Sequence, residues 1–280
     1  MCDIQVSVII VNYNTKQLLS DCLKSINEKT VDIEYEVIVV DNDSHDGSQE
    51  MLKRDFPGVR LIESKENLGF GKANNLGMKN AKGKYFFLLN SDTILVNNAL
   101  KEFYDYSECH PGFGALGSIL LDKDLKPCHS YGRFPSPLGS LKDVIAKYIR
   151  CLKDKSKFHP KQVLKPLAVD YVTGADLWVS KYVYETIGGF DPKFFMYFEE
   201  SDWELRMSDA GLQRLIIPGP RIIHLEGGSD KSLSTRWSTT RVTNYMRSKR
   251  IYERKNFNRY VYPIYVLFDY VLRIPTKIFK

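Results

Sequence analysis

Hydrophobic positions along the first hundred residues switch between two periods. Val6–Val11 is a nearly unbroken apolar run and reads as a strand. Over Lys16–Ile26, the residues Leu18, Leu19, Cys22, Leu23 and Ile26 recur at helical spacing. Glu36–Val40 is a β-branched second strand, and Ser48 stands as the N-cap of a helix reaching Lys53. Val59–Ile62 is a third strand. The turn NLGFGKAN leads into a helix over Gly71–Lys79, and Tyr85–Leu89 is a fourth strand. Its segment Phe86–Leu89 shows no alternation, as a strand buried on both faces requires. Strands alternating with helices predict a mostly parallel sheet covered on both sides. Beyond Leu95 the pattern is less regular, with one further strand expected over Gly114–Leu121. In the basic stretch 126–167, Leu141, Val144, Ile145, Tyr148, Ile149 and Leu152 make an apolar helical stripe beside Lys142, Lys147, Arg150 and Lys153. Such a helix suits two settings, a membrane surface or a packed core with a solvated face.

Polar residues gather where the strands stop. The first strand ends in Asn12, Tyr13 and Asn14, the second in Asp41, Asn42, Asp43 and Ser44, the fourth in Asn90, Ser91 and Asp92. Asn and Asp favour turns in any protein. In an open α/β sheet, however, the carboxyl ends of the strands are where ligands bind, and three such ends carry amides and carboxylates here. Asp92 lies between two apolar pieces, so it needs a partner. A carboxylate that loses water without one costs several kcal/mol. No GxGxxG follows the first strand and no GxxxxGK[ST] occurs, which argues against a classical dinucleotide fold and a P-loop. A bound nucleotide is then held by strand-end carboxylates and amides.

A second dense group is FFMYFEESDWELRM, where aromatics lead into Glu199, Glu200 and Asp202. Acids suit a helix start. Two adjacent glutamates among aromatics also push each other's pKa upward, which favours a general base. His224 closes a short strand in RIIHLEGGS, ahead of Gly227 and Gly228.

The length of 280 residues fits one large domain, or one with a smaller extension, and 43% hydrophobic content supports a substantial core. The cysteines, Cys2, Cys22, Cys109, Cys128 and Cys151, form no CxxC pair, so a reducing cytoplasm is expected. No signal peptide or spanning helix is read from the sequence. The net charge of +6 is uneven. From Lys231 onward, basic residues face only Glu253 and Asp269, which leaves the preceding part close to neutral. That tail interleaves Arg and Lys with Tyr245, Tyr252, Phe257, Tyr260, Tyr262, Tyr265, Phe268 and Tyr270. This mixture suits phosphate-bearing partners, whether nucleic acid or a membrane interface.

In chain order, VSVIIVNYN, VIVVDNDSHDGS, NLGFGKANNLG, NSD, TGADLWVSK, GGFDPKFFMYFEESDWELR and IIHLEGGS resemble the blocks of family-2 glycosyltransferases, most closely the rhamnosyltransferase-like branch. The resemblance spans roughly residues 4 to 230. It implies an α/β, Rossmann-like, mostly parallel mixed sheet flanked by helices, the A-type glycosyltransferase fold, with a basic, aromatic helical C-terminal extension. The implied division is residues 1–95 for the nucleotide-sugar half, 96–230 for the acceptor half and 231–280 for the tail. The donor would meet Asn12, Tyr13, Asn14, Asp41, Asn42, Asp43, Asn67, Gly69, Lys72, Asn74, Asn90 and Ser91. Asp92, with His224, would hold Mg²⁺ or Mn²⁺. Gly174, Ala175, Asp176 and Trp203 would line the acceptor side. Glu200 would be the base, with Glu199 and Asp202 tuning or positioning it. Two positions depart from the pattern: Asn90 replaces the first acid of D-x-D, and Glu200 stands where many relatives have Asp.

The activity so implied is inverting, metal-dependent transfer of a sugar from a UDP-, dTDP- or GDP-sugar to a hydroxyl of a glycan or lipid-linked saccharide, in polysaccharide biosynthesis. Gly227 and Gly228 suit two settings, a hinge for a lid carrying Lys231 and Arg236 or a turn between a strand and a surface helix. Peripheral attachment to the inner face of the cell membrane fits the tail better than nucleic acid does. The rivals are a sugar nucleotidyltransferase, whose glycine- and arginine-rich first loop is missing, and a non-catalytic sugar-nucleotide or nucleic-acid binding module.

Overall fold

The computed structural model describes residues 3–137, 162–225, 239–263 and 265–267. The first apolar run forms β1 (Val6–Asn12), followed by helix α1 (Lys16–Lys29), β2 (Tyr35–Asp41), α2 (Ser48–Asp55), β3 (Arg60–Glu63), α3 (Phe70–Asn80) and β4 (Tyr85–Asn90). β1 lies between β2 and β4, β3 flanks β2, and all three pairings are parallel. Parallel neighbours need long crossovers, and the helices supply them. The chain continues through β5 (Thr93–Leu95), α4 (Ala99–Cys109), β6 (Phe113–Gly117), β7 (Tyr131–Gly132), β8 (Leu167–Ala168), β9 (Tyr171–Val172) and β10 (Asp176–Ser180). It then forms α5 (Lys181–Ile187), α6 (Glu199–Asp209), β11 (Gln213–Ile216), β12 (Ile222–His224) and α7 (Thr239–Asn256). The main sheet has the order β3-β2-β1-β4-β10-β6-β11-β8, while β12 pairs with β5 and β7 with β9. This is the mostly parallel mixed sheet that the alternating periods predict.

Both faces of the sheet are covered, which explains the missing alternation in Phe86–Leu89. Val8, Ile10, Phe87 and Leu89 pack with Leu19, Leu23, Met51, Leu52 and Phe103. Ile9, Phe86 and Leu88 pack on the opposite side with Met78, Val183, Trp203 and Met207. Each such side chain contributes on the order of 1.5–3 kcal/mol on full burial.

Register brings the polar strand ends together. Asn12 stands opposite Asp41, and Val11 opposite Asn90. β10 runs antiparallel to β4 with Asp176 facing Leu89, so its beginning meets the rim where β1, β2 and β4 end. Sequence reasoning placed TGADLWVSK near the acceptor without reading it as a central strand. Its Trp178 is fully buried, stacks on Phe103 at 5.3 Å and donates through Nε1 to Ser107 Oγ at 2.9 Å.

Local details differ from the expectations. α2 starts at Ser48 after Gly47 at φ 80°, so Ser48 is not the N-cap. Instead its amide and hydroxyl both donate to Asp46 Oδ1. The strand expected to reach Leu121 stops at Gly117, because Ser118 turns its amide and hydroxyl onto Asp176. The stripe over 141–152, the glycine pair at 227 and 228, Lys231 and Arg236 lie outside the described residues.

Candidate active site

At the ends of β1 and β2, Asp41 is fully buried and serves as the frame of the rim. It accepts from Asn12 Nδ2 at 2.7 Å, Ser44 N at 2.9 Å and Gln49 Nε2 at 2.7 Å. Asn12 Oδ1 accepts from Thr15, whose hydroxyl also meets Ser91 Oγ at 2.9 Å. Asn42, also buried, donates to Gly69 O, and Asn74 donates to Phe70 O. Asn67 Oδ1 accepts from Gly69 N. These side chains shape the rim. Tyr13 and Lys72 are exposed, and Asn14, Asp43 and Asn67 partly so. Asn14 and Asp43 take φ of 54° and 65°, a left-handed conformation that asparagine and aspartate tolerate.

Gly69 joins this rim to the acid-bearing block. At φ 79°, a Cβ there would lie 2.2 Å from Phe195 O, so only glycine fits. The next amide, Phe70 N, donates to the same carbonyl at 2.9 Å.

The partner of Asp92 comes from far along the chain. β12 pairs antiparallel with β5, with His224 opposite Thr93. That register sets His224 Nε2 3.2 Å from Asp92 Oδ1 and 3.4 Å from Asn90 Nδ2. Beside them, Ala175 O accepts from Asn90 N, and Gly174 is half-buried against Phe70. Asp176 Oδ2 accepts from Ser118 N and Oγ, at 2.7 and 2.6 Å. Burial pushes the Asp176 carboxyl up to about 7, against the pull of these bonds, with His224 within electrostatic reach. A carboxylate oxygen and an imidazole nitrogen in contact are a donor set that suits Mg²⁺ or Mn²⁺. Among the described residues, no group of three or more His, Cys, Asp or Glu is placed to hold an ion. A cation there would therefore need ligand or water oxygens as well.

α6 delivers the acids. Before it, Tyr197 and Phe198 adopt φ of 73° and 68°, which costs about 1–3 kcal/mol for each such residue. Burial raises the Glu199 carboxyl well above the usual range, and the charge of Glu200 raises it further. Burial also raises Glu200. Glu204, one turn on, is pushed well up by burial, opposed by the bond that Val172 N donates to its Oε2 at 2.9 Å; the charges of Glu200 and Asp176 add to the rise. Tyr171 lies within electrostatic reach of both Glu200 and Glu204. Glu199 Oε2, Glu200 Oε2 and Glu204 Oε1 are each buried without a hydrogen-bond partner.

Two expected site residues face elsewhere. Trp203, expected on the acceptor side, is fully buried, donates to Gly188 O at 2.6 Å and packs on Phe190 at 4.5 Å. Asp202, expected to tune or position Glu200, is fully buried and bonded to Lys255, Asn256 and Arg206. Sequence reasoning missed Glu204, although its i, i+4 spacing from Glu200 was visible. It also missed Ser118 and Lys255, which no motif marks.

A family model for glycosyl transferase family 2 matches residues 7–125. The chain is 27% identical over 265 residues to rhamnosyltransferase WbbL of Escherichia coli (strain K12), covering 91% of this chain and 97% of that protein. It is 27% identical over 231 residues to N-acetylglucosaminyl-diphospho-decaprenol L-rhamnosyltransferase of Mycobacterium tuberculosis (strain ATCC 25618 / H37Rv), covering 78% and 75%. A crystal structure of GalNAc-T7 with UDP, GalNAc and Mn²⁺ aligns with a TM-score of 0.61 and 17% identity, over 89% of this chain and 48% of that one. The chain thus spans about half the length of that structure, and the likeness is one of fold.

The raised Glu204 carboxyl has a thermodynamic signature. Its folded pKa exceeds its unfolded value, so its contribution is full below the unfolded pKa and is lost as pH rises through the folded one. Melting temperatures of wild type and Glu204→Gln, measured from acidic to alkaline pH, should show a smaller loss in the variant. A larger loss in the variant means that Glu204 is ionised and favourably paired.

Proposed function

We propose that the chain is a family-2 glycosyltransferase with the A-type fold, and that it transfers a sugar from a nucleotide-sugar donor to an acceptor hydroxyl in one inverting displacement with Glu200 as base. The observation that carries this reading is the contact of His224 with Asp92 at 3.2 Å, together with the buried carboxyl of Glu200 at the start of α6. The rhamnosyltransferases among its relatives support L-rhamnose as the transferred sugar. The diphospho-decaprenol named for one of them supports a lipid-diphosphate-linked saccharide as acceptor.

An alcohol is a poor nucleophile near neutral pH, so its proton must leave as the new bond forms. Glu200 takes that proton. Burial raises its pKa toward the working range and strengthens it as a base. Glu199 and Glu204 oppose a further negative charge beside it. On the donor side, Tyr13, Asn14, Asp43 and Lys72 meet the nucleotide, and the frame of Asn12, Asp41, Asn42 and Asn74 holds them in place. Asp92 and His224 would hold Mg²⁺ or Mn²⁺ together with diphosphate oxygens. Such a cation supplies Lewis-acid stabilisation of the departing nucleoside diphosphate.

No helix among the described residues is long and apolar enough to cross a membrane. We place the protein peripherally, on the inner face of the cell membrane. A groove on α7 lined by Val242, Met246, Arg247, Arg250, Ile251 and Arg254, and the exposure of Tyr260, Val266 and Leu267, support that attachment.

Glu200→Gln should lower transfer by about 100-fold or more, with nucleotide-sugar binding by calorimetry nearly unchanged. Turnover within about tenfold of wild type removes Glu200 from the role. Excess chelator should abolish transfer from the active member of a UDP-, GDP- and dTDP-sugar panel, and Mn²⁺ should restore it. Full activity in chelator defeats the Asp92–His224 site. Anionic liposomes should carry the protein upward on flotation, and its retention in the soluble fraction counts against membrane attachment.

A further inference from the structure

The acids in the first turn of α6 point in two directions. Glu199 and Glu200 belong to the site, whereas Asp202 is engaged by the end of α7. Asp202 Oδ2 accepts from Lys255 Nζ at 2.8 Å and from Arg206 Nε at 3.3 Å, and Oδ1 accepts from Asn256 Nδ2 at 3.2 Å. The same Lys255 ammonium donates to Asp191 Oδ2 at 2.7 Å, just ahead of the acid block. Burial opposes the charge on Asp191, but the bond from Lys255, helped by Lys193 N, holds its carboxyl below the usual range. Arg206 also donates to the carbonyls of Ile187 and Gly189, tying the same helix to the turn before the block.

α7 covers the strained approach to Glu200 along its length. Ser248 Oγ donates to Met196 O at 2.8 Å. Tyr245 packs on the rings of Tyr197 and Phe198, and the fully buried Tyr252 packs on Phe198 at 5.6 Å. Phe194, Tyr252, Phe257 and Tyr265 form one buried cluster. Two consecutive aromatic residues at positive φ persist only where their surroundings hold them. Here the surroundings are α7, and the residues held lead directly into Glu199 and Glu200.

We propose that Lys255 and Asn256 are positioning residues: acting through Asp202, they fix the start of α6 and the left-handed turn before it, so that the basic C-terminal segment is part of the machinery that sets Glu200 in place. This rests on the reading of Glu200 as the base. The lock puts Asp202 in a mechanical role and makes activity depend on residues at the end of α7.

The test compares Lys255→Met, Lys255→Arg, Asn256→Ala, Asp202→Asn and the double variant D202N/K255M in the full chain. Lys255→Met should lower kcat by about 10- to 100-fold, as small misplacements of a catalytic group do, while the donor KM stays within about twofold of wild type. Lys255→Arg should recover most of the loss, and Asn256→Ala should show the same kcat-selective pattern more weakly. The double variant should be little worse than either single one, because the pair acts as a unit. Hydrogen exchange adds a readout that does not depend on activity: amides of residues 197–203 should lose protection in Lys255→Met. Unchanged exchange there, kcat within about twofold of wild type or independent multiplication of the two losses overturns the lock. A parallel fall in kcat and in folded fraction, with constant turnover per folded molecule, also overturns it, and Asn256→Ala decides the matter if Lys255→Met does not fold. Failure of Glu200→Gln to lower transfer sinks the base assignment instead, and the exchange data then judge the lock by itself.

Discussion

A sheet that is apolar on both faces can place polar chemistry only at the ends of its strands, and the rest of this molecule follows from that constraint. Val8 and Ile9 point to opposite cores, as do Phe86 and Phe87, so no side chain within these strands can reach a ligand. Parallel pairing of β1, β2 and β4 collects their carboxyl ends on one rim. The reversed β10 adds its beginning to that rim, so Asp176 comes to the same place as Asn90 although it sits at the opposite end of its strand.

The rim is crowded with acids, and the protein treats them in two ways. Asp41 and Asp92 are met by protein donors or a histidine. Asp176, Glu199, Glu200 and Glu204 are shut away from water with an oxygen left without a partner, and burial raises all four. The first treatment builds a frame. The second disfavours the charged form of each carboxyl, a cost that the surrounding packing must offset.

Most of the first half was legible from the chain alone, because period and strand-end composition report directly on a doubly covered parallel sheet. Asp92 and His224 were paired on their motifs, and the β5–β12 register brings them into contact. What escaped was set by long-range packing. DLWVS has too few residues and too little alternation to announce a central antiparallel strand. Trp203 sits among functional residues in sequence, but α6 turns it into the core, where its ring packs on Phe190. The aromatics of the tail read as an interface with lipid, yet Tyr252, Phe257 and Tyr265 are spent on Phe194. Nothing local in RKNF announces that Lys255 reaches Asp191 and Asp202.

The seam between Gly69 and Phe195 has a consequence for divergence within such a chain. It is a joint between main chains, made by the Phe70 amide and the Phe195 carbonyl. Substituents at 195 or 70 can drift in kind while the joint survives. Position 69, facing that carbonyl at 2.2 Å from where a Cβ would sit, admits no substituent at all. Mutational tolerance across the seam is therefore lopsided: one side is open to variation, and the other is held to a single amino acid by geometry rather than by chemistry.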